Sequence, residues 1–385
     1  FIRCLEFFNI VFQWSRTGSL SQKVIKWKSR TRVPTPCPRK GESMRSAIVG
    51  CGAIANLHGS VISKMDDSQL VAVADIKREK ADEFSKNYKN NKVNSYGSLE
   101  EMLEAEEVDV LHICTPHYLH VPMAIYALEN GVHVFMEKPP AISREQFALL
   151  EESKRDGELN PQLGICFQNR YNHSVKYIKE LLSSEQTGKI LGARVFVTWC
   201  RGRGYYENSD WKGSLEKEGG GVLINQAIHS LDLLVQFLGK AESAEATMSN
   251  RHLKGLIDVE DTIEAYIKFE DSSAVFYATS AYCSDSPVMI ELACENLTIR
   301  METNVVTEIY KDGRRKVTDF SEESVGKDYW GNGHLMCINN FYKSIKTKKP
   351  FPINLEGVKD TFSLMMDIYD SARNGTGGQV PCPRK

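Results

Sequence analysis

Three polar residues in the second half of the chain are spaced for acid–base chemistry. Asn225, His229 and Asp232 stand at i, i+4 and i+7 after Gly219-Gly220-Gly221, so they would share one face of a helix. Imidazole is the usual proton acceptor near neutral pH, and an amide one turn earlier would orient it or a substrate. The alternative is a solvated helix face beside an apolar stripe, because a lone histidine is more often structural.

Lys138 is the second candidate for chemistry. It lies in Glu137-Lys138-Pro139-Pro140 at the end of a predicted strand, and open α/β sheets bind ligands at the carboxyl ends of their strands. The proline that follows restricts the backbone of Lys138 and would hold its ammonium group against a substrate oxygen. The alternative is an exposed lysine at a strand exit.

The segment that would place a cofactor beside these residues is 47–55, where a Gly-x-Gly-x-x-Ala pattern follows apolar strand residues and opens a helix. Gly50 permits the tight turn, and Gly52 lets the backbone approach a pyrophosphate at the helix N-terminus, next to Ala53 and Ile54. A tight turn without a ligand also satisfies the pattern. The strand before it and the helix after it favour dinucleotide binding.

The choice of dinucleotide depends on Asp75, which ends the next predicted strand 23 residues after Gly52. This is close to the ~20-residue spacing of a ribose-binding carboxylate. Such a carboxylate accepts a hydrogen bond from a ribose 2′-hydroxyl and repels a 2′-phosphate. The sequence therefore predicts NAD, with NADP as the alternative because Lys77 and Arg78 follow closely.

Length and composition indicate an ordinary globular protein with more than one domain. The chain has 385 residues, 42% hydrophobic and 25% charged, and no apolar run approaches the ~18 residues of a membrane helix. Residues 1–43 hold nine Lys or Arg and two Asp or Glu, so the rest of the chain is acidic. We expect a non-core basic extension over 1–43, and a cytoplasmic body without a nucleic-acid or membrane partner.

Cysteine and histidine spacing gives no indication of a metal site. Ten cysteines are scattered without a Cys-x-x-Cys pair, which favours free thiols over disulfides or zinc. His117 and His120 are spaced i, i+3, but two ligands with no acid or thiol nearby are insufficient. Cys283 and Cys294 lack an adjoining His-Asp arrangement, so nucleophilic thiol chemistry is not expected either.

The predicted elements form two groups. From residue 44, strands at 70–75, 108–115, 133–138 and 162–169 alternate with helices, two of them after capping boxes at Ser98 and Ser143. After a helix at 174–184, a polar loop at 201–221 leads into a helix at 222–238, and strands at 192–199, 262–269, 274–281, 288–294 and 296–303 are joined mostly by short turns. The predicted fold class is α/β, with a Rossmann dinucleotide-binding domain at 44–165 and an α+β domain with an open, mostly antiparallel sheet at 166–380.

The order of the motifs resembles that of the Gfo/Idh/MocA family of sugar oxidoreductases. The resemblance covers residues 46–380 and rests on the glycine turn, Thr115-Pro116-His117-x-x-His120, Glu137-Lys138-Pro139, Gln168-Asn169-Arg170-Tyr171-Asn172 and the segment from Gly219 to Asp232. Tyr205-Tyr206 to Trp211-Lys212-Gly213 also resembles a loop of members that act on nucleotide-linked amino sugar acids.

The resemblance implies hydride transfer between a nicotinamide and a sugar, polyol or nucleotide-sugar hydroxyl. It implies that Lys138 and His229 are the catalytic pair, with His229 as proton acceptor. Many members have Asp where this chain has Asn225, and an amide cannot raise the imidazole pKa as a carboxylate does. The further residues implied for nicotinamide and substrate contacts are Thr115, Pro116, His120 and Glu137, and Arg170, Tyr206 and Trp211, respectively.

The resemblance also implies a homodimer or homotetramer associated through the second domain's sheet. Two alternatives remain within it: an NAD-dependent glycosidase of the same fold, and an NAD(P)-sensing regulator without turnover. The presence of both Lys138 and His229 argues against the regulator.

Overall fold

The computed structural model describes residues 9–14, 20–25, 43–88, 92–156, 161–321 and 333–375. Strands β1 (Asn9–Trp14) and β2 (Leu20–Ile25) form a two-stranded antiparallel sheet of their own. Most of the basic extension predicted over 1–43 lies outside the described residues. That prediction therefore stays a prediction.

The first large sheet has six parallel strands. They are β3 (Met44–Val49), β4 (Ser68–Ala74), β5 (Asn94–Tyr96), β6 (Val110–Ile113), β7 (His133–Glu137) and β8 (Leu163–Cys166). Their order is β5-β4-β3-β6-β7-β8. Strands β4 and β5 are therefore added on one side of β3, and β6, β7 and β8 on the other, so the strand order reverses between β3 and β6. A ligand crevice opens beyond the carboxyl ends at such a reversal.

Helices cross between these strands: α1 (Ala53–Ile62), α2 (Arg78–Lys86), α3 (Leu99–Ala105), α4 (His120–Glu129) and α5 (Arg144–Asp156). Both predicted capping boxes contribute side-chain caps, because the hydroxyls of Ser98 and Ser143 accept from the backbone N–H groups of Glu101 and Gln146. The sequence did not indicate α2, which buries only Ala81 and Phe84. Two apolar residues in nine are too few to give a helical pattern.

The second sheet has eight strands in the order β10-β11-β12-β9-β13-β14-β15-β16, and only the β9–β12 pair is parallel. The strands are β9 (Ile190–Thr198), β10 (Ala241–Ser249), β11 (Thr262–Phe269), β12 (Ser273–Thr279), β13 (Met289–Cys294), β14 (Leu297–Glu302), β15 (Val305–Tyr310) and β16 (Arg315–Asp319). The predicted α/β class with a mostly antiparallel second sheet is confirmed.

The helices of the second half are α6 (His173–Ser183), α7 (Arg203–Glu207), α8 (Leu215–Glu218), α9 (Ile228–Leu238), α10 (Gly333–Thr347) and α11 (Leu355–Asn374). The segment predicted as a loop over 201–221 thus contains two short helices. A π-helical turn, Leu223–Ala227, runs directly into α9.

The two sheets share one continuous apolar core, and α11 contacts both β8 of the first sheet and β10 of the second. Helix α10 packs against the first sheet. The ring of Phe341 on α10 lies 5.1 Å from that of Phe135 on β7 and 5.2 Å from that of Phe351. Among the described residues, one helical stretch, Leu215–Leu238, is long and apolar enough to span a membrane. Of its tested window, 78% is buried inside the protein, as in a core helix.

Candidate active site

A cleft of about 1040 Å³ lies between the carboxyl ends of the parallel strands and the helices of the second half. We call its two sides the Rossmann wall, formed around Gly50, Gly52, Asp75 and Thr115, and the helical wall, formed around Trp211, Asn225 and His229. Most of the predicted site residues line this cleft: Gly50, Gly52, Ala53, Ile54, Asp75, Thr115, Pro116, His120, Glu137, Lys138, Trp211, Asn225 and His229.

The two glycines of the turn are needed for different reasons. Gly50 has φ +88°, and a Cβ there would lie 2.7 Å from the carbonyl oxygen of Cys114, so the fold itself requires glycine. Gly52 precedes α1, and a Cβ there would meet nothing within 4 Å. Packing does not require glycine at this position. The open space at a helix N-terminus is what a pyrophosphate needs.

Asp75 is held beside the glycine turn by main-chain groups. Its Oδ2 accepts from the N–H of Cys51 at 2.9 Å and its Oδ1 from the N–H of Lys77 at 2.9 Å. A carboxylate oxygen can accept more than one hydrogen bond. The orientation therefore leaves Asp75 able to accept from ribose hydroxyls as well.

The ring of His120 connects Thr115, after the end of β6, with Pro139 in the loop after β7. The ring nitrogens of His120 lie 2.9 Å from the carbonyl oxygen of Pro139 and 3.0 Å from that of Thr115. The buried hydroxyl of Thr115 has no hydrogen-bond partner within the described part of the chain. An unpaired buried polar atom that lines the cleft is expected where a cofactor binds.

Lys138 links the two walls. Its Nζ donates to the backbone oxygen of Asn225 at 2.9 Å and lies 3.4 Å from the side-chain oxygen of the same residue. Burial lowers the pKa of Lys138, although the carboxylates of Glu137 and Glu218 oppose this shift. The ammonium group thus reaches the helical wall from the end of β7.

His229 lines the helical wall with a buried ring. Burial, and then the positive charge of Lys138, lower its pKa to about 3, so the ring is neutral at neutral pH. Its Nδ1 is buried without a hydrogen-bond partner among the described residues, and its Nε2 lies 3.5 Å from the amide nitrogen of Gln168.

The predicted common face of Asn225, His229 and Asp232 holds for the first two residues only. Asp232 lies outside the cleft lining and accepts from Arg170 at 2.8 and 2.5 Å and from Thr361 at 2.8 Å. The π-helical turn before α9 holds more residues than an α-helical turn, so it changes the register between Asn225 and Asp232.

Two residues implied as substrate contacts are placed away from the cleft lining. Arg170 forms the buried ion pair with Asp232 and also donates to the carbonyl oxygen of Gly357 at 2.9 Å. Tyr206 is buried in an apolar cluster with Ile257 and Val259. Its neighbour Tyr205 lines the cleft instead.

Trp211 lines the helical wall and contacts the Rossmann wall. Its ring lies 4.7 Å from the ring of His117, centroid to centroid. The Nδ1 of His117 in turn lies 2.9 Å from the carbonyl oxygen of Glu218. The two walls therefore meet at the segment that carries Trp211.

The last glycine of the triplet before the π-helical turn, Gly221, is explained by Glu260. This buried carboxylate accepts from the N–H groups of Gly221 at 2.8 Å and Leu223 at 3.1 Å, and from the hydroxyl of Tyr369 at 2.8 Å. A Cβ on Gly221 would clash with the backbone carbonyl of Glu260. Glu260 caps this helix from a distant loop, which no local pattern in the sequence indicates.

A buried hydrogen-bonded chain also escaped the sequence analysis. It runs from Glu137 to His58 at 3.0 Å, from His58 to His112 at 2.8 Å, from His112 to Tyr342 at 2.8 Å and from Tyr342 to Ser46 at 2.7 Å. The signal that could have found it is a histidine inside the otherwise apolar strand β6, because a buried imidazole needs a partner.

Within this series of hydrogen bonds, the charges lie on Glu137 and His58. Burial by itself lowers the pKa of His58, but the thiols of Cys114 and Cys166 and the carboxylate of Glu137 raise it well above its usual value. Burial by itself raises the pKa of Glu137, but the hydrogen bond and charge of His58 lower it. Burial and the charge of His58 lower the pKa of His112. His58, Glu137 and Cys166 also place potential metal ligands within 4.8 Å of one another, yet both ring nitrogens of His58 are engaged in hydrogen bonds.

Family models match both halves of the chain. Residues 44–158 match the model described as "Oxidoreductase family, NAD-binding Rossmann fold", and residues 175–300 match "GFO/IDH/MocA C-terminal domain". D-glucoside 3-dehydrogenase of Escherichia coli (strain K12) is 27% identical over 352 residues, which cover 86% of this chain and 96% of that protein.

Solved structures agree with these matches. The WlbA dehydrogenase of Bordetella pertussis, in complex with NADH and UDP-GlcNAcA, is 26% identical with a TM-score of 0.74, covering 89% of this chain and 100% of that chain. Levoglucosan dehydrogenase with NADH and levoglucosan has a TM-score of 0.76 at 19% identity, covering 86% and 98%, and supports the fold alone. The predicted NAD cofactor and the predicted oxidoreductase activity on sugar hydroxyl groups are confirmed. The chain belongs to the Gfo/Idh/MocA family of oxidoreductases.

Proposed function

We propose that Lys138 and His229 are the catalytic residues with which this oxidoreductase oxidises a sugar or nucleotide-sugar hydroxyl reversibly to a ketone. The observation that carries the proposal is their convergence. One comes from the end of β7 and the other from α9, and both line the cleft that contains the glycine turn. The cofactor would be held by Gly50, Gly52, Ala53, Ile54, Asp75 and Thr115.

The two catalytic residues have complementary protonation states. Lys138 presents N–H donors to the substrate oxygen, and neutral His229 accepts the hydroxyl proton at Nε2. The C–H electron pair leaves as hydride while the C–O bond becomes a carbonyl. When bound, NAD accepts that hydride. In the reverse direction, His229 returns the proton to the oxygen.

The size and lining of the cleft support this substrate class. About 1040 Å³ accommodates a cofactor together with a sugar, and Trp211 and Tyr205 supply aromatic surface on the helical wall. The WlbA dehydrogenase was solved with a nucleotide sugar acid, which supports including nucleotide sugars. Asp75 favours NAD over NADP because its carboxylate would repel a 2′-phosphate, and titration with both cofactors measures this preference.

The second sheet supports a homodimer or homotetramer. Its outward face carries Phe196, Tyr266, Val275, Tyr277 and Met289, of which Tyr266 is 43% and Val275 50% exposed. Aromatic and apolar side chains are enriched at subunit interfaces. A double replacement of Tyr266 and Val275 by Glu should yield monomers in sedimentation experiments, and an unchanged mass would contradict this assembly.

We further infer a cytoplasmic enzyme without nucleic-acid or membrane partners. The cysteines of the described residues, among them Cys51, Cys114 and Cys337, are all free thiols, which suits a reducing compartment. The acidic balance of the body gives a nucleic acid no attraction. Fractionation of cells that produce the tagged protein tests the location.

A cofactor-coupled screen of polyols, aldoses and nucleotide sugars tests the activity. We expect NADH to form in a one-to-one ratio with an oxidised sugar. Cleavage of a glycoside without net NADH would indicate the glycosidase alternative instead. NAD binding without turnover of any compound would indicate the regulator.

A further inference from the structure

We propose that Glu218 is a positioning residue for the reaction: its carboxylate orients the amide of Asn225 and keeps a negative charge beside Lys138, so that the ammonium group stays directed at the reacting oxygen. This inference rests on the proposed function, because it assigns Lys138 the substrate oxygen. Nothing in the motif pattern singled out Glu218, which ends α8 directly before the glycine triplet.

The contacts of Glu218 reach three parts of the site. Its Oε1 accepts from the Nδ2 of Asn225, and its Oε2 accepts from the N–H of Gly213. Its backbone oxygen is the partner of His117 on the Rossmann wall. The residue is only 1% exposed, so solvent does not compete for these bonds.

The carboxylate decides which end of the Asn225 amide faces Lys138. An ionised carboxylate is an acceptor only, so it binds the NH₂ end of the amide and rejects the oxygen end. The oxygen is then left to face the ammonium group of Lys138, at 3.4 Å. With the amide reversed, two donors would face each other at Lys138.

The charges around Glu218 make this arrangement depend on pH. Burial, with a contribution from Glu260, raises the pKa of Glu218 to about 7, against the opposing effects of Gly213, Asn225 and Lys212. The carboxylate also interacts electrostatically with Lys138 and Tyr206, while the neutral ring of His117 contacts only the backbone oxygen of Glu218. Glu218 therefore carries its charge above neutral pH and loses it below.

The same carboxylate anchors the segment that carries Trp211. Gly213 follows Trp211 by two residues and has φ +77°, and a Cβ there would lie 2.5 Å from the side chain of Ile257. The N–H of Gly213 is thus presented to Glu218 by a backbone shape that only glycine adopts readily. The position of the Trp211 segment and the charge of Lys138 therefore both depend on the carboxylate of Glu218.

The experiment compares Glu218→Gln with the full-length parent across pH, with Glu216→Gln as control. Glu216 is exposed on the same helix. Above neutral pH we expect Glu218→Gln to reduce kcat by about 10- to 100-fold, as for loss of a charge-assisted hydrogen bond. Below the Glu218 pKa of about 7 the difference should shrink, because the parent's protonated acid also lacks the charge. NAD affinity and the control's profile should not change.

A second measurement does not depend on turnover. The pH dependence of acylation of Lys138 by an amine-reactive reagent, followed by mass spectrometry, reports the pKa of its ammonium group. We expect that pKa to fall in Glu218→Gln, since a neighbouring anion stabilises the charged form. An unchanged Lys138 pKa, or a loss of kcat that is uniform across pH, overturns the inference. A shifted Lys138 pKa in a protein that oxidises no sugar would keep the inference for Lys138 and refute the proposed function.

Discussion

On the Rossmann wall the geometry of the cleft lining comes mainly from the main chain, whereas on the helical wall it comes from side chains that are held by other side chains. Gly50 acts through its positive φ and Gly52 through the open space beside it. Asp75 is fixed by the N–H of Cys51 in the turn after β3 and by the N–H of Lys77 in the turn after β4. Asn225 depends on Glu218, the π-helical turn on Glu260, and α9 on Arg170. We therefore expect substitutions elsewhere in the protein to disturb the Rossmann wall little. Substitutions in the side-chain networks should disturb the helical wall.

The largest effect is expected at His229. Replacement by Ala should reduce kcat by about 10²–10⁴-fold, the usual contribution of a positioned general base, while NAD affinity stays near the parent value. Steady-state kinetics and a cofactor titration check this. His252→Ala is the matched control, because His252 is an exposed histidine. Near-normal turnover of His229→Ala would show that the proton acceptor lies elsewhere.

Lys138→Met should follow, with a loss of about 10²–10³-fold in kcat, as when one donor to a developing oxyanion is removed. Because Lys138 would also bind the substrate oxygen in the ground state, KM should rise as well. Lys64→Met, at an exposed lysine, serves as control. A change in KM alone would mean that Lys138 binds the substrate without acting in the chemical step. The catalytic role would then lie with residues of the helical wall.

Asp232→Ala should destabilise the fold rather than impair the chemistry directly. It leaves the buried guanidinium of Arg170 without its charged partner, and removing one member of a buried ion pair costs about 3–5 kcal/mol. Denaturant unfolding measures this free energy, with Asp258→Ala, at an exposed aspartate, as control. If stability is unchanged, the helical wall does not depend on this network.

The two glycine replacements sharpen the comparison on the other wall. Gly52→Ala has room for its Cβ, so stability should be unchanged while NAD affinity falls about tenfold through crowding of the pyrophosphate. Gly50→Ala should cost about 1–3 kcal/mol of stability because of its positive φ. Calorimetric titration and thermal unfolding separate the two. Equal behaviour of both variants would mean that the turn has a single role.

Elements with a strong periodic pattern were predictable from sequence. Local apolar runs predicted most of the buried parallel strands at nearly their observed positions. The Ser-x-x-Glu and Ser-x-x-Gln spacings likewise predicted the two capping boxes. Helix α2 and strands β10, β15 and β16 were not, because few of their residues form a clean apolar pattern. Their pairing and packing partners, rather than their own sequence, stabilise them.

The sequence alone determined the glycine turn, the strand-end position of Lys138 and the presence of His229, because each depends on residues close together in the chain. Only the tertiary structure decided that Arg170 binds Asp232, that Tyr205 rather than Tyr206 lines the cleft, and that Asn225 turns towards Lys138 and Glu218. Most of those choices depend on contacts between residues far apart in sequence and on one π-helical turn. Such contacts form because a buried polar group must find a partner, and the fold, not the local sequence, decides which partner is within reach.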